Sequence, residues 1–178
     1  MNLETRQANQ ENKKVICGYA VVFNEPSENL GGFIERISPH AFDDVDMSNV
    51  LCLYNHDSAN ILARSDSNNL ILAVDNKGLY FEATLPDTTL ARDVYANIDA
   101  GNVKGCSFGF TVEKDSWNWS EDIKPDERTV EKIGNLFEIT LTPIPAYQDT
   151  NVAKRTSKNK KQKLQQNLDL LEFFELEE

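Results

Sequence analysis

Apolar residues fall along this chain in short, dense runs broken by Asn, Asp, Gly, Pro and Ser, which is the rhythm of strands and turns. Residues 15–23 (VICGYAVVF), rich in Val, Ile and aromatics, predict a buried strand. A polar stretch with Pro, Ser, Asn and Gly follows, and then a short strand over 33–37. Ser38-Pro39 has the chemistry of a helix start, predicting a short helix to about Asp46. A strand over 50–54 then delivers His56 at its end. Residues 69–74 and 79–85 flank Asp75-Asn76-Lys77-Gly78, which predicts a hairpin.

Further along, Asp87 is positioned to cap a helix over 88–100, with Leu90, Val94 and Ile98 on one face and Gly101 as its stop. Residues 106–113 and 129–142 read as strands, separated by a polar loop over 115–128 that holds Trp117 and Trp119. About seven strands with two inserted helices and no regular βαβ alternation predict a mainly β fold, a closed or nearly closed antiparallel β-barrel with peripheral helices. In the tail, Leu164, Leu168, Leu171 and Phe174 recur at helical spacing, the stripe of an amphipathic C-terminal helix. Four regions result: a disordered arm (1–14), a globular domain (15–153), a basic linker (154–163) and the amphipathic helix (164–178).

Charge sharpens this division. The net charge is −11. Residues 1–153 carry 12 Lys and Arg against 24 Asp and Glu, 154–163 hold six basic residues, and 164–178 hold five acids. An acidic body argues against nucleic acid as the main ligand, and the basic stretch reads as a solvated linker. Cys17, Cys52 and Cys106 lack metal-ligand spacing and read as reduced thiols of a cytoplasmic protein. No apolar run is long enough to cross a bilayer, and the polar N-terminus does not read as a signal peptide.

Three polar residues carry the candidate chemistry: His56 in LYNHD, Ser107 in GCSFGF and Glu138 in LFEITLTPIPAY. A serine hydroxyl needs a neighbouring base to become nucleophilic, and an anion on the far ring nitrogen fixes the imidazole tautomer. Strand alternation puts Ser107 on the face shared with Gly109, Thr111 and Glu113, with Cys106, Phe108, Phe110 and Val112 turned to the core. Glu138 alternates likewise against Phe137, Ile139 and Leu141, so both residues are expected on the non-core face of their strands. Read alone, each also fits a bland role: a surface serine, a turn histidine, a solvated carboxylate, and glycines 105 and 109 that mark a bulge or close packing. Cys106 is a rival nucleophile, although alternation turns it away from the side of Ser107.

The ordered set GYAVVFN, FIERISPHAF, NHD, GLYFEATLPDT, SFGF and FEITLTPIPAY resembles the phage prohead (capsid maturation) serine proteases of the HK97 type, over about residues 15–153. The resemblance implies a serine endopeptidase without metal or organic cofactor, acting inside an immature capsid in the bacterial host cytoplasm. It would cleave the scaffolding segment of the capsid protein precursor, and then itself. That family is similar to herpesvirus assemblins, a helix-ringed β-barrel activated by dimerisation, so a homodimer enters as an expectation. By motif match Ser107 would be the nucleophile, His56 the general base and Glu138 the third member. His40 is a rival for the third place, because assemblins use a second histidine there. The sequence departs from the family's Leu/Ile-Gly-Arg with Leu62-Ala63-Arg64, and Arg64 would take the place of the arginine that orients an oxyanion-binding water in assemblins. The reading from a different class is a non-catalytic capsid assembly or scaffolding module with the same barrel.

Overall fold

The computed structural model describes residues 13–120 and 125–154. Residues 1–12 of the expected arm, most of the basic linker and the amphipathic tail lie outside them. Among the described residues the elements run β1 (Lys14–Val22), β2 (Phe33–Ile37), β3 (Leu51–Tyr54), β4 (Asp57–Arg64), β5 (Leu70–Val74), β6 (Gly78–Leu85), α1 (Thr89–Asp99), β7 (Gly105–Asn118), β8 (Asp126–Thr142) and β9 (Asn151–Lys154).

The strands form two open sheets around one core, and neither closes into the expected barrel. One sheet has the order β5-β6-β1-β9. The other is organised by β8, whose 17 residues use both edges. Along one edge β7 pairs antiparallel over nearly its full length. The other edge is shared end to end: β2 pairs with Asp126–Val130 and β3 with Glu138–Leu141, both in parallel. Those parallel pairings overturn the all-antiparallel expectation. A strand as long as β8 can hold two short partners in tandem, a topology that local alternation of apolar residues does not encode.

Ile16, Phe81 and Ala83 of the first sheet and Ile37, Cys52, Phe108, Val130 and Ile139 of the second meet in a single buried cluster. Helix α1 adds Ala91, Val94 and Ile98. Its N-cap is Thr88 rather than Asp87, since the Ala91 N–H donates to Thr88 Oγ1 at 3.1 Å. Gly101, at φ 75°, ends it in the left-handed conformation that glycine adopts without a Cβ penalty.

The expected helix over residues 38–46 is instead a series of turns, with Ala41 N bonded to Ser38 O and Val45 N to Phe42 O. Two bonds tie this segment to β8, Ser38 N to Val130 O and Ile133 N to Ala41 O, and the second uses a carbonyl that a helix would turn toward the Val45 N–H. The expected polar loop over 115–128 is also corrected, because β7 and β8 extend into it. Trp117 pairs with Arg128 across the ladder, and the Trp117 and Trp119 rings stack 4.8 Å apart.

A buried polar network anchors the segment after β8. Glu35, 4% exposed, accepts from the Tyr147 hydroxyl at 2.6 Å and from Arg128 Nη1 at 3.0 Å. Arg128 Nε also donates to Asp115 at 2.7 Å. Burial, with the Glu35 carboxylate beside it, pushes the Tyr147 phenol well above its ordinary range. Removing one partner of a buried ion pair leaves an uncompensated charge. Arg128→Met is therefore expected to cost about 3 kcal/mol in urea unfolding, with Glu35→Gln in the same chain recovering part of the loss.

Candidate active site

The site is built on one strand. Residues 138, 140 and 142 of β8 share a face, and each one contacts the turn that joins β3 to β4. That turn has two central residues, Asn55 and His56, between the paired Tyr54 and Asp57. Both have positive φ, 59° and 58°, the signature of a type I′ hairpin. Asn suits the first position. At the second, where glycine is usual, the backbone of His56 is strained by its Cβ, and such strain persists only where the surroundings hold it.

The surroundings do hold it. Asn55 N donates to Leu141 O at 3.0 Å, and His56 N to Thr140 Oγ1 at 2.9 Å. The Thr142 hydroxyl donates to Asn55 Oδ1 at 3.3 Å. Above these, His56 Nδ1 lies 2.7 Å from Glu138 Oε1. A carboxylate can only accept, so the pairing assigns the proton to Nδ1 and leaves the Nε2 lone pair free. The imidazole side chain is half exposed, whereas Glu138 is nearly covered.

Ser107 lies on the same face of β8, on the strand at its other edge. It is the Cα partner of Thr140, and Gly109 is the partner of Glu138, so the four residues occupy one face of the β7–β8 ladder. Ser107 and Glu138 are each 8% exposed, so that face is covered at the site and is not the open surface strand alternation suggests. Gly109 has a steric reason. A Cβ there would lie 2.8 Å from Glu138 Oε1 and 3.2 Å from its Cγ, so the carboxyl needs the missing side chain's space. Phe137 is 52% exposed while Leu136 is buried, the reverse of simple alternation. The cause is a bulge, since Gly109 pairs with Glu138 but Phe110 with Leu136.

Burial raises the Glu138 carboxyl above its ordinary value of 4.5, partly offset by the His56 hydrogen bond and charge. Its Oε2 is fully buried and accepts no hydrogen bond among the described residues. A raised carboxyl pKa means the folded state holds its proton more tightly than the unfolded chain. Stability from this group is fully present below the unfolded value and is lost as pH rises through the folded one. Glu138→Gln should remove that slope. Its stability relative to the parent, from urea unfolding at several pH values, should improve as pH climbs from about 4 to about 7.

The rival residues lie elsewhere. His40 Nδ1 pairs with Asp43 at 3.1 Å on an exposed turn, beside a part of β8 five or more residues before Glu138. Cys106 is fully buried, and desolvation keeps its thiol well above its ordinary range and protonated. The Arg64 guanidinium is engaged by Asp66 and Asn49. Trp117 is ten residues along β7 from Ser107, roughly 30 Å at strand rise, so the aromatic stack lies far from this face. Sequence reasoning missed Thr140, Thr142 and Asn55 as contacts of the histidine turn. The available signal was Asn-His standing where a two-residue hairpin takes Asn-Gly. Among the described residues no group of three or more His, Cys, Asp or Glu could hold a metal, and no helix is long and apolar enough to cross a membrane.

The fold is similar to that of the KSHV protease in complex with a hexapeptide phosphonate inhibitor, with a TM-score of 0.53, 8% identity, and coverage of 82% of this chain and 66% of that one. In sequence the chain is 34% identical over 145 residues to the prohead protease of Enterobacteria phage HK97. That match covers 79% of this chain and spans 59% of the relative's length. The profile of the caudovirus prohead serine protease family matches residues 1–166, and the chain belongs to that family.

Proposed function

We propose that this chain is a prohead maturation serine endopeptidase that cuts the scaffolding segment of the capsid protein precursor, and itself, inside the assembling procapsid in the host cytoplasm. Ser107 is the nucleophile, His56 the general base and Glu138 the third member. The observation that supports this reading is the His56–Glu138 hydrogen bond, with Ser107 on the strand that pairs beside Thr140 and Glu138 on β8.

In the reaction, Ser107 Oγ attacks the scissile carbonyl as His56 Nε2 takes its proton. Glu138 stabilises the imidazolium. Backbone N–H groups stabilise the oxyanion. Collapse breaks the C–N bond, and Nε2 returns its proton to the leaving amine. Water then repeats the sequence on the acyl-enzyme and restores the serine. Residues 15–153 form the protease unit, 154–163 the linker, and 164–178 a segment that carries the enzyme into the shell and is lost by self-cleavage.

The test mixes purified chain with the cognate capsid precursor. A shortened capsid protein supports the proposal, and an unchanged precursor opposes it. The alternative, a non-catalytic assembly module, predicts no covalent labelling by a fluorophosphonate, because an inert hydroxyl does not react.

A further inference from the structure

We infer that Thr140 is a positioning residue for His56: its hydroxyl, by accepting the His56 backbone N–H, locks the left-handed turn that aims the imidazole at Glu138. This rests on the proposed role of His56 as the base, and it adds a residue that chemistry-bearing motifs do not flag.

Three observations carry it. His56 adopts φ 58° at the turn position that favours glycine, so its backbone needs an external hold. The hold at that residue's N–H is the 2.9 Å bond to Thr140 Oγ1. Thr140 is 0% exposed and is the Cα partner of both Ser107 on β7 and Leu53 on β3. One buried side chain thus fixes the main chain beneath the base and stands opposite the nucleophile. Glu138 secures the ring two residues before it, and Thr142 secures Asn55 two residues after it. The three residues are alternate members of Glu-Ile-Thr-Leu-Thr, so strand periodicity alone brings them to the turn.

Valine has nearly the shape of threonine but cannot accept a hydrogen bond. Thr140→Val leaves the His56 N–H without this acceptor and lets the turn relax, whereas Thr140→Ser keeps the oxygen. A displacement of about 1 Å in a catalytic group can cost on the order of 100-fold in rate. Labelling by a fluorophosphonate is followed to saturation in the parent and both variants. The expected result is a maximal labelling rate about 100-fold lower in Thr140→Val, a half-saturating concentration changed little, and recovery in Thr140→Ser.

A second measurement stands apart from catalysis. In a Ser107→Ala background, the downfield proton resonance of the His56 Nδ1–H···Glu138 bond should be present with Thr140 intact and with Thr140→Ser. It should be lost or shifted upfield with Thr140→Val. An unchanged resonance in Thr140→Val, in a protein that melts cooperatively, overturns the inference whatever the labelling shows. A shifted resonance in a chain whose parent never labels keeps the positioning role and rejects the nucleophile assignment instead.

Discussion

Ser107→Ala is expected to abolish processing, lowering the cleavage rate by about a million-fold, to the level left by binding and oxyanion contacts alone. The substitution removes one oxygen from a side chain that is 8% exposed and packed opposite Thr140. Alanine fits the same strand position, so the fold should survive. Near-parent unfolding in urea with complete loss of capsid-precursor cleavage and phosphonate labelling is the outcome that fits. A variant that still cleaves at the parent rate would remove Ser107 from the chemistry and reopen the serine's structural reading.

The second large effect concerns His56. His56→Ala should lose nearly as much activity as Ser107→Ala, and the double substitution should be no worse than either single one, because a hydroxyl and its base act as a unit. Independent contributions would multiply. The turn complicates the comparison, since alanine at φ 58° keeps the strain of a Cβ while losing the tie to Glu138. His56→Gly separates the two causes. It relieves the backbone and still removes the imidazole, so a folded and inactive His56→Gly assigns the loss to the missing base. Activity in His56→Gly would contradict the mechanism.

Much of the fold is legible in the sequence where a single element is amphipathic or bounded by strong punctuation. The β5–β6 hairpin follows from Asp75 to Gly78, and α1 from Leu90, Val94, Ile98 and Gly101. The strands β1, β2 and β3 follow from β-branched and aromatic runs. Strand β4 is hidden because Asp57-Ser58-Ala59-Asn60 is polar and largely exposed, and its pairing with β3 shifts register twice. The architecture is hidden for a different reason. Whether β8 receives β2 and β3 in parallel, or closes a barrel, depends on which distant edges meet, and alternation looks the same in both cases.

The candidate site is legible in its residue types and only partly in its geometry. His56, Ser107 and Glu138 stand out as a base, a hydroxyl and a carboxylate on separate strand-like segments. Their burial does not stand out, because alternation marks a face and says nothing of what folds over it. Nor does the bulge at Phe137, which turns that ring outward and brings Leu136 into the core. Gly109 reads in sequence as a bulge or a close contact. Its meaning, room for the Glu138 carboxyl, emerges once the two strands are set side by side.

Because β8 carries partners on both edges, its residue count is as constrained as its chemistry. Dropping one residue between Glu138 and Thr142 would invert the side chains beyond the gap, sending threonine oxygens into oil and leucine toward the histidine hairpin. The Glu-Ile-Thr-Leu-Thr stretch can therefore change by replacement but not in length.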